Sequence, residues 1–146
     1  MKRLFVTGCA AVLLSAGSAF AGDFGTAAEA KAMLEKAVAA VKADKAGALA
    51  NFTSGGGGFK DRDLYPFCGG PDGNFTAHPK LVGKSLKELK DKSGKALGEE
   101  MYKVAAEGKI AEVAYKWPRP DATDPVDKVS YVTKIGDQVC AVGYYK

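Results

Sequence analysis

The sequence lacks the short motifs that mark several common kinds of functional site. Its three cysteines form no C-x-x-C pair and no C-x-x-C-H run, which excludes a thioredoxin-like centre, a zinc ribbon and covalent haem attachment. There is no G-x-S-x-G element, and the single histidine has no carboxylate and serine at a signature spacing, so no nucleophilic triad is predicted. Gly83-Lys84-Ser85 resembles the end of a P-loop, but the leading glycine of that motif would have to stand at His78. The glycines therefore predict turns and helix caps, not a phosphate-binding loop.

The sequence also has little excess charge of one sign. Lys and Arg number 21 against 17 Asp and Glu, a formal net charge of +4, and the acids are scattered among the bases. A nucleic-acid-binding protein normally concentrates its basic residues on one face, so no nucleic-acid partner is predicted. The 146 residues, 47% hydrophobic and 26% charged, suit one globular domain and exclude wholesale disorder. After the N-terminal segment, no apolar run is long enough to span a bilayer.

The first 21 residues have the composition of a cleaved signal peptide. Lys2-Arg3 forms a basic head, residues 4–16 are apolar, and Ala19-Phe20-Ala21 is a small-x-small cleavage pattern. We therefore expect residues 22–146 to be exported to the periplasm or beyond. Val6-Thr7-Gly8-Cys9 also matches a lipoprotein box, but too few residues precede its cysteine for a head and an apolar core.

Export determines how many cysteines the mature chain keeps and in which redox environment they lie. Cys9 leaves with the signal peptide, and Cys68 and Cys140 remain. Two cysteines in an oxidising compartment suggest one disulfide, although two buried thiols that never pair are an alternative. A zinc site made by both thiols and His78 is conceivable, but no close pair of ligands would nucleate it, so no metal site is predicted.

Hydrophobic spacing and helix caps predict a helix, a hairpin, short helices and a three-stranded meander. The capping box Thr26-Ala27-Ala28-Glu29 opens an apolar stripe at helical spacing, which predicts one long amphipathic helix over 26–52, weakened at a glycine. A second capping box, Ser85-Leu86-Lys87-Glu88, predicts a short helix that closes near Gly94, and another helix follows over 97–105. The strands are predicted over 64–68, 74–78, 110–117, 126–135 and 138–145.

This order of elements predicts an α+β domain built on one five-stranded antiparallel sheet. The long N-terminal helix would cover one face of the sheet. The short helices and connecting loops would cover the other face and leave room for a small ligand. No internal repeat or linker interrupts residues 22–146, so they are expected to form a single domain.

Aromatic residues cluster around one cation near the predicted fourth strand. Tyr115 and Trp117 share a face of the third strand, and the connection to the fourth brings Trp117 near Lys128 and Tyr131. Ring walls, one cation and phenol hydroxyls suit a carboxylate or another small polar ligand, although a half-buried aromatic core beside a surface lysine is the alternative. Lys128 and Tyr131 are three residues apart, so both face one pocket only if the strand begins after Lys128 or carries a bulge. His78, the only histidine, is a candidate general base, metal ligand or anion donor, or an ordinary polar residue.

Six short segments, spread between residues 63 and 145, form an ordered set. They are Asp63-Leu64-Tyr65-x-Phe67, Asp72-Gly73-x-x-x-Ala77-His78-Pro79, Leu81-Val82-Gly83-Lys84, Tyr115-x-Trp117-Pro118-x-Pro120, Lys128-x-Ser130-Tyr131-Val132 and Gly143-x-Tyr145. Together they resemble the single Cache domain of the second subtype, over about 27–146. The resemblance implies a PAS-like extracytoplasmic sensor fold that binds small molecules, often short organic acids. By matching position, it implies that Tyr65, His78, Trp117, Lys128 and Tyr131 lie in or near the pocket.

The resemblance also carries expectations about partners and strand order. Family members often sit between two membrane helices of a chemoreceptor or kinase, whereas this sequence ends at Lys146, directly after the last strand. We therefore expect a free-standing secreted form that signals through a membrane receptor or kinase. The PAS-like order makes the first and last strands neighbours, which would bring Cys68 and Cys140 within reach of a disulfide. It also makes the first strand central, and Pro66 cannot donate to a ladder, so an irregularity is expected there.

The expected function is that of a periplasmic sensory module for a small ligand, with a carboxylate favoured. No activated nucleophile or paired acid is visible, so neither an enzyme nor a cofactor is predicted. The competing hypothesis is an envelope structural or interaction protein that keeps the fold and fills the pocket with its own side chains. A sealed pocket that contains Trp117, Tyr131 and a cation would favour the sensory module.

Cleavage after Ala21 is the first testable prediction. Because the basic head, apolar core and small-x-small site all precede Gly22, the intact mass of the exported protein should correspond to a chain that begins at Gly22. Mass spectrometry of the exported protein measures this directly. A diacylated chain that begins at Cys9 would contradict the prediction and establish the lipoprotein alternative.

Overall fold

The computed structural model describes residues 22–146. In chain order its elements are α1 (Ala27–Ala43), α2 (Lys45–Ser54), β1 (Pro66–Gly69), β2 (Phe75–Ala77), α3 (Leu97–Val104), β3 (Ala111–Pro118), β4 (Pro125–Ile135) and β5 (Gln138–Tyr145). All five strands agree with the sequence prediction to within two residues at either end. The predicted signal peptide, residues 1–21, lies outside the described residues.

The N-terminal helical region is divided in two, which corrects the prediction of one continuous helix over 26–52. The first helix begins as predicted, because Thr26 and Glu29 each accept a backbone N–H from the other and complete the capping box. At Asp44 the backbone is extended, with φ −154° and ψ 94°, and its carboxylate accepts the Gly47 N–H at 3.1 Å. Asp44 therefore ends α1 and caps α2. A Cβ at Gly47 would overlap the Asp44 carboxylate, so the glycine that weakens a continuous helix makes room for this cap.

The five strands form one antiparallel sheet in the order β2-β1-β5-β4-β3. The strands β3, β4 and β5 pair consecutively as a meander, whereas β1 pairs with β2 on one side and with the last strand on the other. This topology confirms the predicted α+β fold with a five-stranded antiparallel sheet. It also places the first strand beside the last, as the PAS-like order implies.

The two faces of the sheet have different covers. The helices α1 and α2 pack on one face, against side chains that include Cys140 and Val142. The helix α3 and the segments between β2 and β3 cover the other face, against side chains that include Val132 and Ala141. Neighbouring residues of β5 contribute to opposite layers because side chains alternate along a strand. The arrangement agrees with the predicted layers and leaves the face opposite α1 for the candidate site.

Residues 85–94 are not helical, which corrects the prediction of a second short helix. The cap hydrogen bond itself is present, since Glu88 N–H donates to Ser85 Oγ at 3.1 Å. However, the amides of residues 86–87 both donate to the Gly73 carbonyl, at 2.8 and 2.9 Å. The backbone of residues 86–87 is thus tied to the turn between β1 and β2, and no helix follows the cap.

Pro66 is accommodated without distorting the strand that contains it. It is the first residue of β1 and lies opposite Val142 of β5. The first position of a strand is one of the few places where a sheet tolerates proline. The irregularity expected at Pro66 lies instead between Cys68 and Gly69, where the register with β2 shifts.

A disulfide joins Cys68 and Cys140. The two residues face each other across β1 and β5, with Cα atoms 4.1 Å apart and sulfur atoms 2.10 Å apart. Both are fully buried in the layer beneath α1 and α2. The pairing agrees with the sequence prediction, and it removes both thiols from the zinc alternative that includes His78.

Reduction of this disulfide is expected to lower the free energy of unfolding by about 4 kcal/mol, because the bond closes a loop with a sequence separation of 72. Denaturant unfolding of the protein before and after reduction measures the difference. The double variant Cys68→Ala/Cys140→Ala is the control, and its stability should not depend on reductant. Thiol titration of the unreduced, denatured chain should find no reactive thiol at these positions. Two reactive thiols would contradict the bond.

Candidate functional site

Lys128 lies at the centre of the candidate site. It stands in β4 directly between Tyr115 of β3 and Tyr145 of β5. Its side chain extends on the face opposite α1, and only 2% of the residue is exposed. Gly143 of β5 makes room for it, since a Cβ at that position would overlap Lys128 Cε. The alternation of the sheet therefore carries a lysine into the interior of the protein.

Aromatic rings surround the ammonium group of Lys128. Its Nζ donates to the Tyr65 hydroxyl at 3.1 Å. The same atom lies 4.5 Å from the centre of the Tyr65 ring, 4.7 Å from that of Tyr145 and 5.8 Å from that of Phe67, which are cation–π distances. No carboxylate of residues 22–146 forms an ion pair with Nζ. Within those residues, the closest hydrogen-bond acceptor of Nζ is the Tyr65 hydroxyl, and the Tyr115 and Tyr145 phenols also interact with it.

Lys128 is charged at neutral pH despite its burial. Burial disfavours the charged form, but the phenols of Tyr115, Tyr65 and Tyr145 favour it, and the balance holds the pKa of Lys128 above its ordinary value. Burial also raises the pKa of Tyr115 and of Tyr145, so both phenols are neutral at neutral pH. The site therefore presents one cation and several neutral hydroxyl groups.

Two of these phenols are fixed by hydrogen bonds of their own. The hydroxyls of Tyr115 and Ser130 are 2.8 Å apart. The Tyr145 hydroxyl donates to the Pro118 carbonyl at 2.8 Å, which ties the end of β5 to the end of β3. The walls around Lys128 are thus held in place before any ligand arrives.

His78 stands across from Lys128 as a neutral ring. It directly follows β2 and packs against Tyr65 and Phe75, with ring centroids 5.5 and 5.0 Å apart. Burial, together with the positive charges of Lys128 and Lys80, lowers the pKa of His78 to about 4. The Lys80 amide donates to Nδ1 at 2.9 Å, so the neutral ring carries its proton on Nε2. At neutral pH, His78 therefore has a hydrogen-bond donor at Nε2.

Two cavities meet at a wall made by Tyr65, His78 and Trp117. The inner chamber, which Lys128 lines, has a volume of about 10 Å³, which is room for about one water molecule. The outer cavity has a volume of about 520 Å³ and lies between the end of α2 and the segments that follow β2 and β3. Its rim consists partly of exposed residues, so it is open to solvent. The side chains of the protein therefore nearly fill the inner chamber.

The structure brings five of the six predicted site residues together and separates the sixth. The five that line the inner chamber are Tyr65, His78, Tyr115, Trp117 and Lys128. Tyr131 lies on the other face of the sheet, in the layer beneath α1, where its ring is 5.9 Å from that of Tyr144. The cause is the regularity of β4, which pairs without a bulge from Pro125 to Ile135. Residues three apart in such a strand point to opposite faces, so the expectation that Tyr131 lines the pocket is corrected.

A comparison with protein families identifies the fold. The family profile described as a Cache domain matches residues 27–145. The chain belongs to the Cache domain family. The structure places one such domain in residues 22–146, which confirms the single Cache domain expected from the ordered segments.

This Cache domain is similar to parts of chemotaxis receptors. It is 39% identical over 56 residues to the methyl-accepting chemotaxis protein McpP of Pseudomonas putida. That match covers 38% of this chain and 10% of McpP, so it spans about a tenth of the receptor. The relatives of this Cache domain are thus sensory proteins and not catalytic ones.

Solved structures show the same architecture. A methyl-accepting chemotaxis protein from Vibrio parahaemolyticus has a TM-score of 0.67 at 25% identity, over 81% of this chain and 86% of that one. A Cache chemosensory domain matches with a TM-score of 0.60 over 79% of this chain and 84% of that one. The periplasmic sensor domain of a chemotaxis protein matches with a TM-score of 0.61 over 79% and 86%. The last two are 24% identical to this chain and support the fold alone.

The helices and side-chain clusters of residues 22–146 narrow the kinds of site that the domain offers. None of the described helices combines the length and apolar composition that a membrane crossing requires. The same residues contain no group of three or more His, Cys, Asp or Glu side chains placed to hold a metal ion.

Ser130, Gly143 and Tyr145 complete the site, although they were not among the predicted site residues. Ser130 bonds to a wall phenol, Gly143 leaves space for Lys128, and Tyr145 provides one of the rings. The alternation of side chains along a strand could have identified them. Lys128 and Ser130 of β4 share one face and pair with Tyr145 and Gly143 of β5. All three also stand in the segments that carry the family resemblance.

The buried His78 predicts a loss of stability in mild acid. An unfolded histidine takes up a proton near its ordinary pKa of 6.5, whereas the folded ring resists protonation until about pH 4. The stabilisation is complete above pH 6.5 and is lost as the pH falls toward 4, by about 3 kcal/mol in total. Urea unfolding of the ligand-free protein between pH 7 and pH 4 measures it.

His78→Asn is the control for this pH dependence. An asparagine can still accept the Lys80 amide but does not titrate, so the variant should lack the additional loss between pH 6.5 and 4. A difference between the two pH profiles can be assigned to His78, because the sequence contains no other histidine. Identical pH profiles for the variant and the wild type would show that the ring is not buried as a neutral group.

Proposed function

We propose that this Cache domain is a periplasmic sensory module that binds a short organic acid beside Lys128 and passes its state to a membrane signalling partner. The observation that carries the proposal is the buried ammonium group, which no carboxylate of residues 22–146 neutralises. Burying a charge without a counter-charge is costly. A ligand carboxylate would supply the missing negative charge and accept a hydrogen bond from Nζ.

The groups around Lys128 suit a carboxylate with a short apolar chain. One carboxylate oxygen can accept from Lys128, and the other can accept from a second donor such as the Tyr115 hydroxyl or His78 Nε2. The rings of Phe67 and Tyr65 offer apolar contact to the rest of the ligand. Hydrogen bonds to a charged group are strong where water is excluded, so a small ligand can bind with only a few contacts.

The size of the inner chamber requires a rearrangement on binding. Its volume of about 10 Å³ admits roughly one water molecule, so an acid of two to four carbons needs a wall to move. The wall shared with the outer cavity is the movable candidate, because His78 and Trp117 belong to segments at the ends of strands. Binding would then displace the segments that follow β2 and β3, and this displacement is the proposed signal.

The similar proteins support a sensory role of this kind. One solved Cache chemosensory domain is described in terms of carboxylic acid recognition, and another similar structure is a periplasmic sensor domain of a chemotaxis protein. McpP is itself a methyl-accepting chemotaxis protein. The proposed location of this chain in the periplasm also rests on the signal peptide predicted over 1–21 and on the disulfide.

A structural role in the envelope is the second candidate function. The observation that favours it is the small inner chamber, which the side chains of the domain nearly fill. In that case Lys128 and the phenols around it would serve only to specify the packing of this face. The two candidates differ in whether any short acid stabilises the folded protein.

The test is a thermal-shift screen with acetate, propionate and succinate on the wild type and on Lys128→Met. A ligand at 100 times its Kd should add roughly 2.7 kcal/mol to the wild-type stability. Lys128→Met should lose most of this gain because it removes the cation that pairs with the carboxylate. Without ligand, the variant should remain folded and be no less stable than wild type, since an uncompensated buried charge is replaced by an apolar chain of similar length.

Lys134→Met provides a matched control. It makes the same substitution in the same strand, but at an exposed position outside both cavities. The control should respond to acids as the wild type does. Equal stabilisation of Lys128→Met and Lys134→Met would remove Lys128 from the site and leave His78 as the anion contact. No stabilisation of the wild type by any short acid would favour the structural role.

A further inference from the structure

We propose that the outer cavity is a second anion site, which binds an aromatic carboxylate with its carboxylate on Arg119 and its ring beside Trp117. Both side chains line this cavity. Its volume of about 520 Å³ lies in the range of small-molecule sites and far exceeds the needs of a two-carbon acid. The site uses a different cation from the one proposed at Lys128, and the two cavities share one wall.

Arg119 has hydrogen-bonding capacity that the described residues do not use. Its guanidinium carbon lies 4.3 Å from the centre of the Phe24 ring and 5.1 Å from that of the Tyr145 ring, so the group is held between two aromatic faces. Its Nε is 3.5 Å from Asp63 Oδ2, too far for a good hydrogen bond, and both atoms are buried without a hydrogen-bond partner. Within residues 22–146, none of its N–H donors makes a hydrogen bond.

Asp63, the acid nearest to Arg119, already accepts a hydrogen bond from the backbone. Asp63 Oδ1 accepts the Gly25 N–H at 2.7 Å, which orients the carboxylate toward the start of the chain. A guanidinium group binds a carboxylate best through two parallel N–H donors, and Asp63 does not make that arrangement. The outer donors of Arg119 are therefore available to a carboxylate that enters from the cavity.

The rest of the lining favours an anion with a flat apolar body. Phe59, Tyr65 and Trp117 contribute rings to the walls. Lys60 and Lys80 add positive charge at the exposed rim, and neither forms an ion pair with the described residues. Arg62 also lines the cavity, but its charge is engaged by Glu29 and Asp61. Asp121 is the one acid in the lining of this described cavity, so positive charge predominates.

The two sites use different cations. Lys128 does not line the outer cavity, and Arg119 does not line the inner chamber. They share only the wall of Tyr65, His78 and Trp117. Loss of one cation should therefore weaken one class of acid and leave the other class bound.

The experiment is calorimetric titration of the purified protein with phenylacetate, with phenylacetamide as the neutral analogue. We expect one phenylacetate per chain, with an affinity at least about tenfold above that of the amide, because only the acid pairs with a guanidinium group. Saturating acetate should leave the stoichiometry at one phenylacetate per chain, and movement of the shared wall would change only the affinity. Trp117 is the only tryptophan in the sequence and lines the cavity, so its fluorescence should change on binding.

Four variants localise the binding. Arg119→Gln should weaken phenylacetate at least about tenfold. Lys109→Gln, which removes the same charge at an exposed position outside both cavities, should bind within about threefold of wild type, as should Lys128→Met. Ala122→Trp adds bulk at an exposed position in the lining and should reduce binding by occupying part of the cavity. Thermal unfolding of each variant checks that it is folded.

Three results would overturn the second site. The first is no binding of phenylacetate to the wild type at millimolar concentration. The second is competition by acetate together with equal losses in Lys128→Met and Arg119→Gln, which would place both acids in one pocket. The third is an affinity of Ala122→Trp for phenylacetate equal to that of the wild type. This result would exclude the outer cavity even if Arg119→Gln fails to fold.

Discussion

A lysine ammonium group buried among aromatic rings constrains the geometry of the whole pocket face. To reach the Tyr65 hydroxyl, the side chain of Lys128 must pass over β5, which separates its own strand from β1. That path exists only because the residue it crosses is Gly143, where a Cβ would overlap Lys128 Cε. The ring of Tyr145 then lies beside Nζ at 4.7 Å, on the strand being crossed. One buried charge thus explains a glycine and a tyrosine of β5 and the tyrosine that directly precedes β1.

The disulfide on the opposite face protects this arrangement. The strand β1 has four residues, and it begins with a proline that lacks an N–H and ends with a glycine, so its ladder with β5 is intrinsically weak. Cys68 and Cys140 fasten it to β5 from the side beneath α1. Phe67 is the neighbour of Cys68 and faces the other way, into the pocket layer. A covalent bond in the helix-covered layer therefore fixes the distance between the rings on β1 and the cation on β4.

Sequence patterns predicted the strands because their signals are local, whereas the two helix errors arose from backbone hydrogen bonds that hydrophobic spacing does not show, one to a distant carbonyl and one to a nearby carboxylate. One hydrogen bond of the predicted capping box at Ser85 is present, yet the adjacent amides bond to Gly73, which no local pattern reveals. Asp44 divides the first helix because its carboxylate finds the Gly47 amide, which interrupts an otherwise continuous apolar stripe. The wrong prediction for Tyr131 has a different origin. The family resemblance implied that Tyr131 lines the pocket, whereas the alternation of side chains in β4 places it on the opposite face from Lys128. The cavity volumes depend on the packing of many side chains, and no property of the sequence alone yields them.

The unequal sizes of the two cavities indicate where this Cache domain can change shape. The sheet is crosslinked and its wall phenols are hydrogen-bonded, so the inner chamber cannot enlarge from the strand side without breaking those bonds. The wall between the cavities lies at strand ends, because His78 directly follows β2 and Trp117 is the last residue but one of β3. Two residues beyond that tryptophan, Arg119 rests on the ring of Phe24, in the segment that leads into α1. A ligand larger than one water molecule must therefore move a wall whose next contacts include the start of the N-terminal helix, and not the strands that hold the cation.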